Sequence, residues 1–174
     1  MVRGLRVALL AVLVVVVQVS VMPHLRIAGV APDLVLVFTI AVAYRLGPEA
    51  GALTGFGTGL GYDLFLETPF GLSALTAAVV GYGVGVFSAG LLRVPRGLAV
   101  TLGLAGGLAG GLLFIGVGTL AGSDAVQGLG GLRTVLISAG YDALLAPVVF
   151  ALVGLVLRGE RPPDPWMPGP MLRR

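Results

Sequence analysis

The stretch Leu98-AVTLGLAGGLAGGLLFIGVGTL-Ala121 carries no ionisable side chain over twenty-four residues. At about 1.5 Å per residue a helix of that length reaches about 36 Å, enough to cross a hydrocarbon layer of about 30 Å. Working outward, five further apolar segments occupy Leu5–Met22, Val30–Leu46, Gly47–Leu66, Gly71–Leu92 and Thr134–Leu157. A span needs roughly 17–25 mostly apolar residues. The sequence therefore predicts an all-α, polytopic membrane domain of six transmembrane helices over residues 1–158, followed by a Pro-rich tail over 159–174.

Composition excludes the other classes. Hydrophobic residues make up 57% of the 174-residue chain and charged residues 11%, with a mean hydropathy of +1.04. A soluble domain carries about 25% charged residues, and disorder demands low hydrophobicity and high charge. Cysteine is absent, His24 is the single histidine, and all 11 basic residues are arginine. Thiolate or clustered-histidine metal sites, Schiff-base lysines and the P-loop lysine are thereby removed. The arginines are scattered between apolar segments and form no basic stripe, so a nucleic-acid partner is not expected despite a pI near 10.

Prolines punctuate the spans. Pro23, Pro69 and Pro95 follow or separate them, while Pro32 and Pro48 sit in opening turns, where a missing N–H is tolerated. Pro147, inside span six, is expected to free a carbonyl one turn earlier and kink the helix. Span one resembles a signal peptide in its flanking Arg3 and Arg6, but Ser20-Val21-Met22 is no small-x-small cleavage site. The tight turn Arg45–Glu49 leaves a re-entrant hairpin of spans two and three as an alternative. Arginine counting sets orientation. Arg3, Arg6, Arg45, Arg93, Arg96, Arg158, Arg161, Arg173 and Arg174 lie on one side, and only Arg26 and Arg133 on the other. Both termini are expected in the cytoplasm. The tail carries Trp166 and PxxP spacing, read as a solvated end rather than a docking peptide.

Glycine is placed with a period. Gly47, Gly51, Gly55 and Gly59 recur every four residues in span three, with Gly57 and Gly61 starting a second row. Gly103, Gly107 and Gly111 do the same in span five, with Gly106 and Gly110 beside them. Small residues four apart share a helix face and let backbones approach, which is how helices associate in lipid. Spans three and five are expected to be central or interface helices, packed internally or against another membrane protein. The string Gly55–Gly61 fails the GxGxxG spacing and lies inside an apolar helix, so it is no nucleotide loop.

Carboxylates at membrane depth are functional candidates by default. Asp63 lies about a turn from the end of span three and Asp142 about two turns into span six, so both could face one outward-opening cavity. Glu67 lies four residues past Asp63, and Tyr62 and Tyr141 precede the two aspartates. Either these acids bind or relay a proton or polar ligand, or they accept hydrogen bonds that fix helix packing. Asp33, Arg45 and Glu49 are expected at span ends, and His24 in a solvated loop. No nucleophile–histidine pair and no pair of histidine ligands exists, so neither an enzyme nor a cofactor is expected.

The order Pro32-Asp33-Leu34-Val35-Leu36-Val37, then Gly55-Phe56-x-x-Gly59-x-x-x-Asp63-Leu64, then Phe70-Gly71-Leu72 and Gly81-Tyr82 resembles the MreD family of bacterial rod-shape-determining proteins. The likeness spans about Ala31 to Tyr82. It returns weakly at Tyr141-Asp142-Ala143-Leu144-Leu145-Ala146-Pro147, with Asp142 where asparagine is common in the family. The resemblance implies a non-enzymatic component of the cell-elongation machinery in the bacterial cytoplasmic membrane. It implies partners in MreC, the actin-like MreB, the polymerase RodA and a penicillin-binding transpeptidase, acting together in lateral peptidoglycan synthesis. It also implies a fold similar to the six-helix substrate-binding components of energy-coupling-factor vitamin transporters. Such a component is the alternative function. Its Ala-x-x-x-Ala signature is not matched by Ala8 and Ala11, and polar pocket residues are few.

Overall fold

The apolar segments become helices whose ends are set by proline, glycine and capping side chains. The computed structural model describes residues 2–26, 28–66, 68–90, 97–120, 122 and 129–157. Among these, six α-helices occur in the order α1 (Val2–Ser20), α2 (Leu34–Leu46), α3 (Pro48–Asp63), α4 (Leu72–Ala89), α5 (Leu98–Leu120) and α6 (Leu129–Val156), with a 3-10 turn at Met22–Leu25. Glu67, Arg93, Arg96, the segment 123–128 and the tail from 158 onward lie outside the described residues.

Three helices, Leu72–Ala89, Leu98–Leu120 and Gly130–Val156, are long and apolar enough to cross a bilayer. α1 has the length of its expected span, whereas α2 and α3 are shorter than theirs. Span two is expected from Val30, but α2 starts at Leu34 and its 13 residues extend only about 20 Å. Pro32 cannot donate and Asp33 caps the helix, so residues 31–33 stay outside it. α3 ends at Asp63 rather than Leu66. α6 begins at Leu129, five residues before the predicted Thr134, so Arg133 and part of the expected Gly-rich loop are helical. α6 runs through Pro147.

α2 is the axis of the bundle. Every residue from Val35 to Ala43 is buried, and α2 packs against α1, α3, α4, α5 and α6. α3 and α5, expected as central or interface helices, flank this axis and make their glycine contacts within the bundle. Glycine marks close approach between neighbours, whereas centrality follows from the unbroken apolar circumference of α2. Tyr44 and Phe150 lock its C-terminal end to α6, with ring centroids 5.5 Å apart. At that same end Arg6 Nη1 donates to Val156 O at 3.4 Å, and the Arg45 guanidinium lies against Gly154.

Around this axis the glycine rows bring backbones together. A Cβ on Gly51 would stand 2.7 Å from Gly81 O, one on Gly55 2.5 Å from Ala77 O, and one on Gly59 2.5 Å from the Ala74 Cα. These three seat α3 on α4. Gly47 is not part of that helical row. It joins α2 to α3 at φ +91°, a conformation that disfavours a side chain, and Pro48 then opens α3. α5 has two small faces. Gly103, Gly107 and Gly111 meet Ala146, Ala139 and Val135 of α6, and Gly106 and Gly110 meet Ile40 and Leu36 of α2. The periphery is apolar instead. Leu9, Val12 and Leu13 of α1 and Leu144 and Val148 of α6 are all more than half exposed, a surface suited to lipid tails and not to water.

The two glycine rows of α3 give a controlled test. Gly55 meets backbone, whereas Gly57 has open space. Gly55→Leu is expected to destabilise the bundle by more than about 1–3 kcal/mol and to lower Tm and folded yield in detergent. Gly57→Leu is expected to change little. Equal Tm values for the two variants would contradict this packing.

Candidate functional site

The start of α2 opens a helix inside an apolar bundle, where each free backbone group is costly. Three side chains from three elements supply partners. Asp142 Oδ1 of α6 accepts from Asp33 N at 3.0 Å. Gln18 of α1 accepts from Leu34 N through Oε1 at 2.7 Å and donates from Nε2 to Pro32 O at 3.0 Å. Asp33 Oδ1 accepts from Leu36 N at 2.9 Å, the N-cap bond. The extended segment before α2 is thus tied to α1 and α6 through side chains that are themselves buried, Gln18 at 3% and Asp142 at 1% exposure.

Asp63 does a comparable task at the α3–α4 connection. Its Oδ2 accepts from Gly71 N at 3.0 Å and Ala74 N at 3.2 Å, and its Oδ1 from Ser73 N at 3.1 Å. One carboxylate from the end of α3 therefore occupies three free donors at the start of α4. Gly71 reaches this position at φ +93°, where only glycine is comfortable.

Because α2 is short beside the 28-residue α6, space is left beyond its N-terminus. A cavity of about 570 Å³ fills it. Asp33, Asp142 and Leu36 form the floor. The walls come from α5 between Gly107 and Ile115, α6 between Gly130 and Asp142, and the start of α4; Arg26 and Tyr62 also line it. Gly107 is why the floor exists: a Cβ there would stand 2.7 Å from Asp142 Oδ2. Thr68 and Thr76 also line the cavity, and their hydroxyl oxygens are buried with no hydrogen-bond partner among the described residues.

The sequence expects Asp63 and Asp142 at one cavity. Asp142 lines it, but Asp63 does not, because its carboxylate is turned onto the α4 amides. With α6 starting at Leu129, Asp142 lies near the middle of the helix rather than two turns in. Asp33, expected at a span end, faces Asp142 across the floor. Tyr62 lines the cavity and Tyr141 does not; Glu67 lies outside the described residues. Among the family-motif positions, Pro32 gives its carbonyl to Gln18, while Phe56 on α3 and Leu64 just past its end are 51% and 71% exposed. Gln18, Thr68 and Thr76 escape a search centred on charge. Gln18 nevertheless carries a signal: it is the only polar residue between Arg6 and Ser20.

Apolar helices with their polar side chains turned inward onto backbone amides define an α-helical membrane protein. The family model described as rod shape-determining protein MreD matches residues 1–156, and the chain belongs to that family. No curated protein and no solved structure gives a match.

Substitutions at two positions test the polar contacts. Gln18→Leu strands Leu34 N–H and Pro32 O and is expected to cost about 1–3 kcal/mol for each orphaned group, read as a lower Tm in detergent; an unchanged Tm would refute the clamp. At Asp63, asparagine keeps one acceptor but points an NH₂ group at a backbone donor, and leucine keeps none. The expected Tm order is wild type above Asp63→Asn above Asp63→Leu. Leucine equal to wild type would show that the α4 cap contributes nothing.

Proposed function

We propose that this chain is a non-enzymatic, multi-pass component of the bacterial cytoplasmic membrane that holds elongation proteins together during lateral peptidoglycan synthesis. The observation that carries this reading is the family match over residues 1–156, which makes the chain a membrane component of rod-shape determination. MreC is the first partner proposed, with MreB, RodA and the elongation transpeptidase in the same assembly. Six crossings with both termini in the cytoplasm are part of the proposal. They are supported by the nine-to-two arginine asymmetry and by the meeting of Arg6, Arg45 and the end of α6 at one end of the bundle.

The way the polar groups are used favours a scaffold. The carboxylate of Asp63 and the amide of Gln18 are engaged with backbone. The glycine rows of α3 and α5 pack against α4, α6 and α2, so a partner is expected on the exposed leucine, valine and phenylalanine faces and not on those rows. The vitamin-transporter alternative draws no support from the comparisons.

The test is co-extraction. Tagged chain solubilised from membranes is expected to retain MreC through gel filtration, and cells depleted of it are expected to round up. If MreC never co-migrates and depleted cells stay rod-shaped, the proposal is wrong.

A further inference from the structure

The cavity beyond α2 has a charge order from floor to rim, and that order points to a kind of ligand. Its volume, about 570 Å³, lies within the range of about 300–1,000 Å³ typical of small-molecule sites. Two carboxyl groups, Asp33 and Asp142, meet at the floor, and Asp142 is 1% exposed. Against them stands the N-terminus of α2, equivalent to roughly half a positive charge. Arg26 is the one basic residue among the described lining residues, and it is exposed at the rim. Asp142 Oδ1 is occupied by Asp33 N, but Oδ2 accepts no hydrogen bond among the described residues and faces Gly107, where no side chain intrudes.

A second observation is independent of the acids. Thr76 is 6% exposed, lines the same cavity, and its hydroxyl has no hydrogen-bond partner among the described residues. A buried hydroxyl is normally hydrogen-bonded. At the wall of a cavity, such a hydroxyl offers a guest both a donor and an acceptor.

We propose that this cavity binds a small zwitterion with its ammonium group innermost, between Asp33 and Asp142, and its anionic group outermost, facing Arg26. Thr76 hydrogen-bonds to the guest between those ends. An ammonium carries three donors and suits the open Asp142 oxygen. The apolar wall at Phe114 and Ile115 keeps water from competing. The same chemistry is offered by a phosphoethanolamine lipid headgroup and by a soluble amino-phosphate or amino acid. The inference does not rest on the partner-holding role proposed above.

The full-length chain in detergent is titrated with glycerophosphoethanolamine, and with glycerol phosphate, which lacks the ammonium. In a second arm it is placed in nanodiscs of phosphatidylethanolamine or of phosphatidylglycerol. The expected result is a saturable rise in Tm with glycerophosphoethanolamine and none with glycerol phosphate. A lipid-only guest gives the rise solely in the phosphatidylethanolamine discs, which equally supports the assignment. Asp142→Asn retains an acceptor for Asp33 N–H and is expected to weaken binding about tenfold or more. Thr76→Val and Arg26→Gln are expected to weaken it while the unliganded Tm stays at or above wild type. They decide the matter if Asp142→Asn does not fold. No stabilisation in either arm, equal stabilisation by glycerol phosphate, or binding untouched by Thr76→Val and Arg26→Gln would overturn the proposal.

Discussion

The structure depends on how a chain break is tolerated inside an apolar bundle. Between α1 and α2 the backbone leaves helical geometry after Leu25 and resumes it at Leu34, so the Pro32 carbonyl and the Asp33 and Leu34 amides have no helical partners. In water those amides would be solvated at no cost. In hydrocarbon each lacks a partner unless the protein provides one. Gln18 and Asp142 provide it from opposite sides. The two contacts settle the depth at which α2 begins, and with it the register of the helix on which five others pack. The short α2 then accounts for the cavity, which is the volume a full-length helix would have filled.

Close packing does the rest. Lipid offers no hydrophobic penalty to separated helices, so contact between them has to be favourable by itself. The chain achieves this by removing side chains where backbones meet: Gly51, Gly55 and Gly59 against α4, and Gly103, Gly107 and Gly111 against α6. On α5 the second row, Gly106 and Gly110, admits Ile40 and Leu36 of the axis. A helix that is apolar all round would otherwise have no preferred rotation. Its glycine stripes give it one. The same logic leaves the leucines and valines of α1 and α6 outward.

Much of this was legible in the residues. Apolar runs of span length announced the helices. The four-residue glycine period announced the packed faces, and carboxylates in apolar surroundings announced Asp63 and Asp142. What was not legible has a physical cause in each case. A run such as Val30–Leu46 has the same hydropathy whether its first residues are helical or extended, and only the capping bond of Asp33 decides. Gly47 continues the numerical period of its row but stands at a positive φ outside the helix. Leu129–Arg133 is glycine-rich and still helical, as the opening of α6. The division of labour between Asp63, given to amides, and Asp142, left partly open, depends on which helix end each one meets. No local pattern carries that information. Gln18 was visible as a lone polar residue, but its partners lie across the fold.

Gln18, Asp63 and Asp142, all buried, are spent on holding backbone amides in place and so on fixing the shape of the bundle. The most direct test is hydrogen exchange at the Asp33 and Leu34 amides of the wild-type chain in nanodiscs. Both are expected to exchange as slowly as the amides in the middle of α2, since Asp142 and Gln18 hold them. Rapid exchange at these two amides, with the centre of α2 protected, would show that the break is solvated and the clamp does not exist.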